Sequence, residues 1–190
     1  MHIGVAHHLG WAVLVTANDE FEVVDRRRVE LVDQGLPAAP IHHRGGAHEM
    51  HEAGDPLDDD GLEELVGEVR ARAVALTRSA LDDVIDVAGS IHSISLRDWP
   101  DDFPNDIATQ RQAPYESQAD SVMYRQVFAE LARAHGWAEH RFDAKTIESQ
   151  ATDIVGERAE EVLHGPRMVL GAPWNKDHRT ALAAIIVASR

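Results

Sequence analysis

The first 16 residues of the chain, MHIGVAHHLGWAVLVT, constrain its fold more than any other segment. Two short runs of apolar and β-branched residues, Ile3–Val5 and Trp11–Thr16, flank a polar stretch that ends in Gly10. This pattern predicts two antiparallel strands joined by a tight turn. Residues Phe21–Leu31 then alternate between apolar and polar side chains, which predicts a third strand with one wet face. The chain therefore opens with an antiparallel meander.

The remainder of the chain alternates predicted helices with short predicted strands. Apolar side chains recur at helical spacing in three segments that should cover a sheet. These segments are Leu62–Val84, Ser117–His135 and Asp177–Ala188. Two more strands are predicted at Ile91–Leu96 and Glu139–Phe142, and the acidic stretch 146–163 predicts a helical excursion before the last helix. We expect an α/β fold with a five-stranded mixed sheet, element order β-β-β-α-β-α-β-α, and the first strand inside the sheet.

Length and composition favour one domain over residues 1–190, with a histidine-rich loop at residues 34–56. The sequence has no apolar run long enough to cross a membrane and no signal-peptide pattern. It contains no cysteine, which excludes disulfides and thiolate metal sites. A cytoplasmic protein without membrane contact is the expectation.

The formal net charge of −15 produces a field that repels nucleic-acid phosphates. Nucleic acid is therefore a disfavoured partner, although a local basic patch would override the average. A homodimer remains an open alternative.

Two short motifs, Ile3–Ala6 followed by Gly10, and Asp177–Leu182, carry a family resemblance. Together with the element order, they resemble the ribonuclease H-like superfamily, and within it the RuvC-type Holliday-junction resolvases and the pre-ribosomal RNA resolvases. Those families open on an Ile-Gly-(Ile/Val)-Asp strand, and their last helix opens with Asp-x-x-Asp-Ala-Leu. In this chain Ala6 stands at the position of the first aspartate, and Thr180 at that of the last.

The resemblance implies a ribonuclease H-like fold and a site of clustered carboxylates for divalent metal. In such nucleases two metal ions, roughly 4 Å apart, bind the attacking water and the leaving oxygen of a phosphodiester. Hard ions such as Mg²⁺ prefer oxygen ligands. Asp98 after the fourth strand and Asp177 on the last helix would be the catalytic metal ligands here.

Other side chains near the expected site complete this hypothesis. Imidazoles could replace the missing acids and would favour Mn²⁺ or Zn²⁺ over Mg²⁺. The candidates are His7, His8 and His178. Substrate would be met by basic side chains and by a polar loop residue able to stack or hydrogen-bond. These candidates are Arg111, Tyr115, Glu116, Lys176 and Arg179.

The histidine-rich loop offers a separate metal site. His48 and His51 are three residues apart and would share one face of a helical turn. With His43 they could bind Zn²⁺. A solvated loop without function is the alternative.

Two functions stay open at this point. The chain is either a metal-dependent phosphodiesterase or nuclease with a degenerate acidic site, or a non-catalytic binding or scaffold protein on the same fold. The second would act through the histidine-rich loop or the loop that bears Trp99, Arg111 and Tyr115. Because Ala6 and Thr180 lack carboxylates, we expect little or no Mg²⁺-dependent nuclease activity.

Overall fold

A computed structural model describes residues 1–46 and 55–190. Its elements are, in chain order, β1 (His2–His8), β2 (Trp11–Ala17), β3 (Val23–Glu30), α1 (Pro40–Arg44), α2 (Asp59–Ala88), β4 (Ser93–Arg97), α3 (Ile107–Gln110), α4 (Glu116–Ala134), β5 (Ala138–Phe142), α5 (Ile147–Val155), a 3₁₀ turn (Gly156–Arg158), α6 (Ala159–His164), α7 (Pro166–Leu170) and α8 (Lys176–Ala188).

The strands form one mixed sheet in the order β3-β2-β1-β4-β5. β1 pairs antiparallel with β2 and parallel with β4, and β4 pairs parallel with β5. The predicted five-stranded sheet, the predicted element order and the interior position of the first strand are confirmed.

The β1–β2 hairpin is tighter than the sequence predicts. His7 and His8 belong to β1, where they pair with Ala12 and Trp11, so the turn consists of two residues only. Gly10 in this turn has φ +79, a left-handed conformation that favours glycine. The two histidines therefore lie at the end of a central strand and not in a polar turn.

The sheet separates two apolar cores. On one face, Ile3 and Val5 of β1 pack with α2 and α4. On the other face, the apolar side of α8 packs on β1, β2 and β4, with α5 and α6 completing that core. Strand alternation sends successive β1 side chains to opposite cores, and this decides which helix each functional side chain meets.

Helix α8 lies directly on the backbone of β1 at Gly4. A Cβ atom at this position would come within 1.9 Å of the Ala181 carbonyl oxygen. Only glycine permits this approach, which brings the first turn of α8 to the end of β1.

The long helices start and end within a few residues of their predicted bounds. Asp58 begins α2 because its side chain accepts the backbone N–H of Gly61. Three short helices, α1, α3 and α7, were not predicted, since four or five residues carry no helical period. Among the described helices, none combines the length and apolarity that crossing a bilayer requires.

A buried carboxyl on α4 holds α1 in place. Asp120 is 3% exposed and accepts the backbone N–H groups of Ile41 and His42, at 3.0 and 2.9 Å. One turn later, the Tyr124 hydroxyl donates to the carbonyl of Ala38 at 2.9 Å. Burial raises the pKa of Asp120 to about 6. The hydrogen bonds from the two backbone N–H groups lower this pKa, but their effect is smaller than that of burial.

The contact between Gly4 and α8 predicts the effect of one added methyl group. Gly4→Ala should lower the free energy of unfolding by about 3 kcal/mol or more, since backbone atoms must move apart. Urea denaturation measures this. Gly67→Ala is the matched control, because that α2 position is open and alanine is a better helix former. Equal stability of Gly4→Ala and wild type would contradict the packing.

The buried Asp120 carboxyl predicts a specific pH dependence of stability. A folded-state pKa raised from 3.8 to about 6 means that its contribution to stability is full below pH 3.8 and is lost as pH rises towards 6. The loss is ~3 kcal/mol. Asp120→Asn keeps one acceptor and does not titrate, so urea denaturation should show wild type gaining stability relative to this variant between pH 7 and pH 4. Parallel curves for the two proteins would exclude the buried carboxyl as the cause.

Candidate functional site

A pocket of about 260 Å³ lies where the carboxyl ends of β1 and β4 meet the first turn of α8. Parallel neighbours such as β1 and β4 bring their carboxyl ends to one edge, where ligand sites of α/β sheets commonly form. The pocket is lined by Val5, Ala6, His7, His8, Arg97, Phe142, Ala144, Lys176, Asp177 and Thr180. It is the region in which the family resemblance places the nuclease site.

Strand alternation assigns the two histidines to different helices. Gly4 faces α8, and Ala6 and His8 follow it on the same face of β1. His7 points to the opposite face with Val5, towards α4. His7 and His8 therefore project from opposite faces of β1, although both line the pocket.

His8 contacts the acid on α8. Its Nε2 lies 3.1 Å from Asp177 Oδ1. Its ring stacks on Trp11 with centroids 3.9 Å apart and planes 8° apart, and the Arg28 guanidinium lies 4.0 Å from the centre of the same indole. These contacts fix the orientation of the imidazole, which can hold or move a proton beside Asp177.

His7 is held neutral by its surroundings. Burial lowers its pKa well below the ordinary value, and the positive charges of Arg125 and Arg97 lower it further. Arg125 Nε donates to His7 Nε2 at 2.9 Å. This assigns the ring proton to Nδ1.

Arg125 is a buried cation with neutral partners. It is 6% exposed, and its remaining donors reach the Asp98 carbonyl at 2.7 Å and the Ser121 hydroxyl at 2.9 Å. Burial lowers its pKa to about 10, Arg97 lowers it and Asp98 raises it, so the side chain stays charged at neutral pH. In the described part of the chain no carboxylate forms an ion pair with it, and such burial is costly.

The pocket side of β4 ends in a cation. Ser95 faces α8, since its hydroxyl donates to the Ala184 carbonyl, and Arg97 follows on the same face. Arg97 lines the pocket, whereas the next residue, Asp98, does not. The Asp98 carboxylate accepts the N–H of Trp99 at 2.9 Å.

The residues present do not fit a two-metal centre. Such a centre needs several carboxylates facing one another, but Asp177 is the single acid among the pocket-lining residues. The Ala6 side chain has no atom that could bind a metal ion, and the Thr180 hydroxyl donates a hydrogen bond to the Glu148 carboxylate at 3.0 Å. In residues 1–46 and 55–190, no three potential His, Asp or Glu ligands come together around one point.

Two predicted site residues on α8 have structural contacts of their own. His178 is 5% exposed, and its Nδ1 lies 2.6 Å from Asn175 Oδ1 in a capping box at the start of the helix. Burial lowers its pKa, as does the charge of Arg26, while Asp177 raises it. Arg179 lies 3.5 Å from Glu148.

The predicted loop residues lie apart from this pocket. Arg111 donates to the carbonyls of Gly45 and Leu57 and pairs with Asp59 at 2.5 Å, which holds the chain on both sides of residues 46–56. Tyr115 packs edge-on against the ring of Phe103, and Glu116 is the first residue of α4. None of the three lines the pocket.

The zinc prediction is not tested by the described residues. His43 lies in α1, with its ring centre 5.6 Å from that of His42. His48 and His51 lie outside the described residues.

Sequence reasoning missed Arg97 and Arg125. Arg97 immediately precedes the predicted metal ligand Asp98. Which of these two side chains lines the pocket depends on the face of the strand that each occupies. Arg125 could have been identified from the sequence, because a charged residue interrupts the apolar side of α4 between Val122 and Val127.

The comparisons with known proteins give one result. No protein-family model and no curated protein matches the chain. Among solved structures, the chain is similar to T. thermophilus RuvC in complex with a Holliday junction substrate, at 15% sequence identity and a TM-score of 0.48, over 98% of this chain and 90% of that one.

Proposed function

We propose that this protein of ribonuclease H-like fold binds a phosphate group, or a chemically equivalent oxyanion, in the pocket at the end of β1. It does not carry out two-metal phosphodiester hydrolysis. The observation that carries the proposal is the pair of cations Arg97 and Lys176, which line the pocket where a nuclease of this fold would need acids. In the described part of the chain neither forms an ion pair with a carboxylate.

The charges around the pocket support an anionic ligand. Arg97 and Lys176 contribute two positive charges to the pocket lining, and Asp177 contributes one negative charge. The buried Arg125 lies behind His7, outside that lining. Asp177 faces His8, which becomes cationic if it is protonated. A bound oxyanion would compensate the excess and accept charge-assisted hydrogen bonds from Arg97 and Lys176.

Size and overall charge favour a small ligand over a nucleic-acid duplex. A cavity of about 260 Å³ accepts a phosphate group with a small substituent. The net charge of −15 repels a polyanion along its length. A compact anion experiences mainly the charges within a Debye length, about 8 Å at physiological salt.

A second candidate function is a phosphodiesterase whose chemistry relies on the His8–Asp177 contact. The 3.1 Å separation favours it, since an imidazole oriented by a carboxylate is a common general base. Of its sequence-predicted metal ligands, Asp98 and Asp177, the pocket is lined by Asp177 and not by Asp98. Nucleic acid would be its substrate.

Phosphate binding tests the main proposal. Isothermal titration with inorganic phosphate should show binding that Arg97→Ala or Lys176→Ala weakens about 10-fold or more, since each removes a charged hydrogen-bond donor. Arg78→Ala is the control: it removes the same charge from an exposed α2 position outside the pocket. An equal loss in the control would mean that only net charge matters, and absence of binding in wild type would refute the proposal.

Substitution of Ala6 separates the two candidate functions. Ala6→Asp adds a carboxylate beside Asp177 and should weaken phosphate binding while creating Mn²⁺ affinity, measurable by electron paramagnetic resonance. Ala6→Asn has the same shape without the charge and should do neither. Wild-type protein should not cleave branched DNA or RNA with Mg²⁺. Robust cleavage that Asp177→Asn abolishes would establish the second candidate instead.

A further inference from the structure

A second cavity, remote from the pocket at the end of β1, forms an apolar groove between the β2–β3 turn and helices α6 and α7. Its volume is about 400 Å³. Its apolar lining comprises Phe21, Val23, Val162, Pro166, Val169 and Leu170. We call this cavity the α7 groove.

The α7 groove is bordered by large apolar side chains that face solvent. Val169 and Leu170 line the groove and are 85% and 37% exposed. Met168, which precedes them in α7, faces the adjoining surface and is 88% exposed. The other large exposed apolar residues, such as Val87, are scattered singly. Contiguous exposed apolar surface is typical of interaction sites.

The backbone holds Phe21 in the groove at a conformational cost. Its φ of 68 is the one left-handed value among the described non-glycine residues. Asn18 stabilises this turn: its carbonyl accepts the Phe21 N–H at 3.0 Å, and its side chain accepts the N–H groups of Glu20 and Glu22. Strain of this kind clusters at ligand-contacting positions.

The two walls of the groove are fixed to each other. Arg26 of β3 donates to the carbonyl of Leu170 at 2.8 Å and to those of Ala172 and Pro173 beyond it. The end of α7 is therefore held against β3. The groove exists before any partner arrives, which reduces the ordering cost of binding.

The rim of the groove is acidic. Glu20, Glu22 and Glu161 line it, and the one cation beside them, Arg158, lies 3.7 Å from Glu161. Three glutamates and one arginine leave a net charge of −2 at the rim. The adjoining surface carries Glu157 and Glu160 together with Arg167 and Arg179, so the excess of negative charge is confined to the groove rim.

We propose that the α7 groove docks a basic amphipathic segment of a partner protein. Apolar side chains of that segment would enter between Phe21 and Val169, and its Lys and Arg side chains would meet the glutamate rim. A second copy of this chain would bring the same acidic rim and be repelled, and an anionic membrane surface would be repelled likewise. This inference is independent of the proposed phosphate binding at the end of β1.

A designed peptide tests the groove without knowledge of the natural partner. The probe is a fluorescein-labelled Leu/Lys peptide of about 18 residues, five helical turns, with Leu on one face. A peptide of equal composition with scrambled order keeps the charge and removes the apolar face. Fluorescence anisotropy at physiological salt should show the intact full-length protein binding the amphipathic peptide at least about 10-fold more tightly than the scrambled one.

Two exposed substitutions locate the binding. Val169→Glu lies in the groove wall and should weaken binding about 10-fold. Val87→Glu, at a 63% exposed position on α2, makes the same chemical change elsewhere and should leave binding unaltered. Both positions are exposed, so both variants should fold. Equal affinity for the two peptides, or equal effects of the two variants, would overturn the proposal. So would a dimer in sedimentation analysis that Val169→Glu dissociates.

Discussion

The structure depends on the direct contact between helix α8 and the central strand β1 at Gly4. Because a side chain there would overlap the Ala181 carbonyl oxygen, the helix lies on the strand backbone and not on a layer of side chains. The first turn of α8 is thereby placed at the end of β1, where Asp177 reaches His8. The same contact divides the two cores, since it commits every second residue of β1 to the α8 face.

The position of the pocket follows from this contact, but its chemistry follows from the residues that face it. A nuclease of the superfamily that the sequence motifs resemble would need acids at the end of β1 and near the end of β4. This chain has Ala6 and Arg97 there, and it adds Lys176 at the start of α8. We propose that this exchange of acids for cations makes the pocket bind anions in place of divalent metal ions. Arg125, buried with neutral partners behind His7, adds to the same potential.

The fold was predictable because its signals are local, whereas the site depends on which face of a strand each residue occupies. The glycine turn at Gly10 and the helical periods of α2, α4 and α8 identify their elements directly. The side chains of His7 and His8 diverge because β1 extends to His8, three residues beyond the predicted strand Ile3–Val5. Likewise, a difference of one residue decides that Arg97, and not Asp98, lines the pocket.

The most direct test of the central claim is a pair of NMR titrations of the wild-type protein, one with inorganic phosphate and one with Mg²⁺ at equal ionic strength. Backbone amide shifts report which residues meet each ion. Phosphate should shift the amides of Ala6, His8 and Lys176 with saturation, while Mg²⁺ leaves them in place. Saturable Mg²⁺ shifts centred on Asp177, without a phosphate response, would contradict the account.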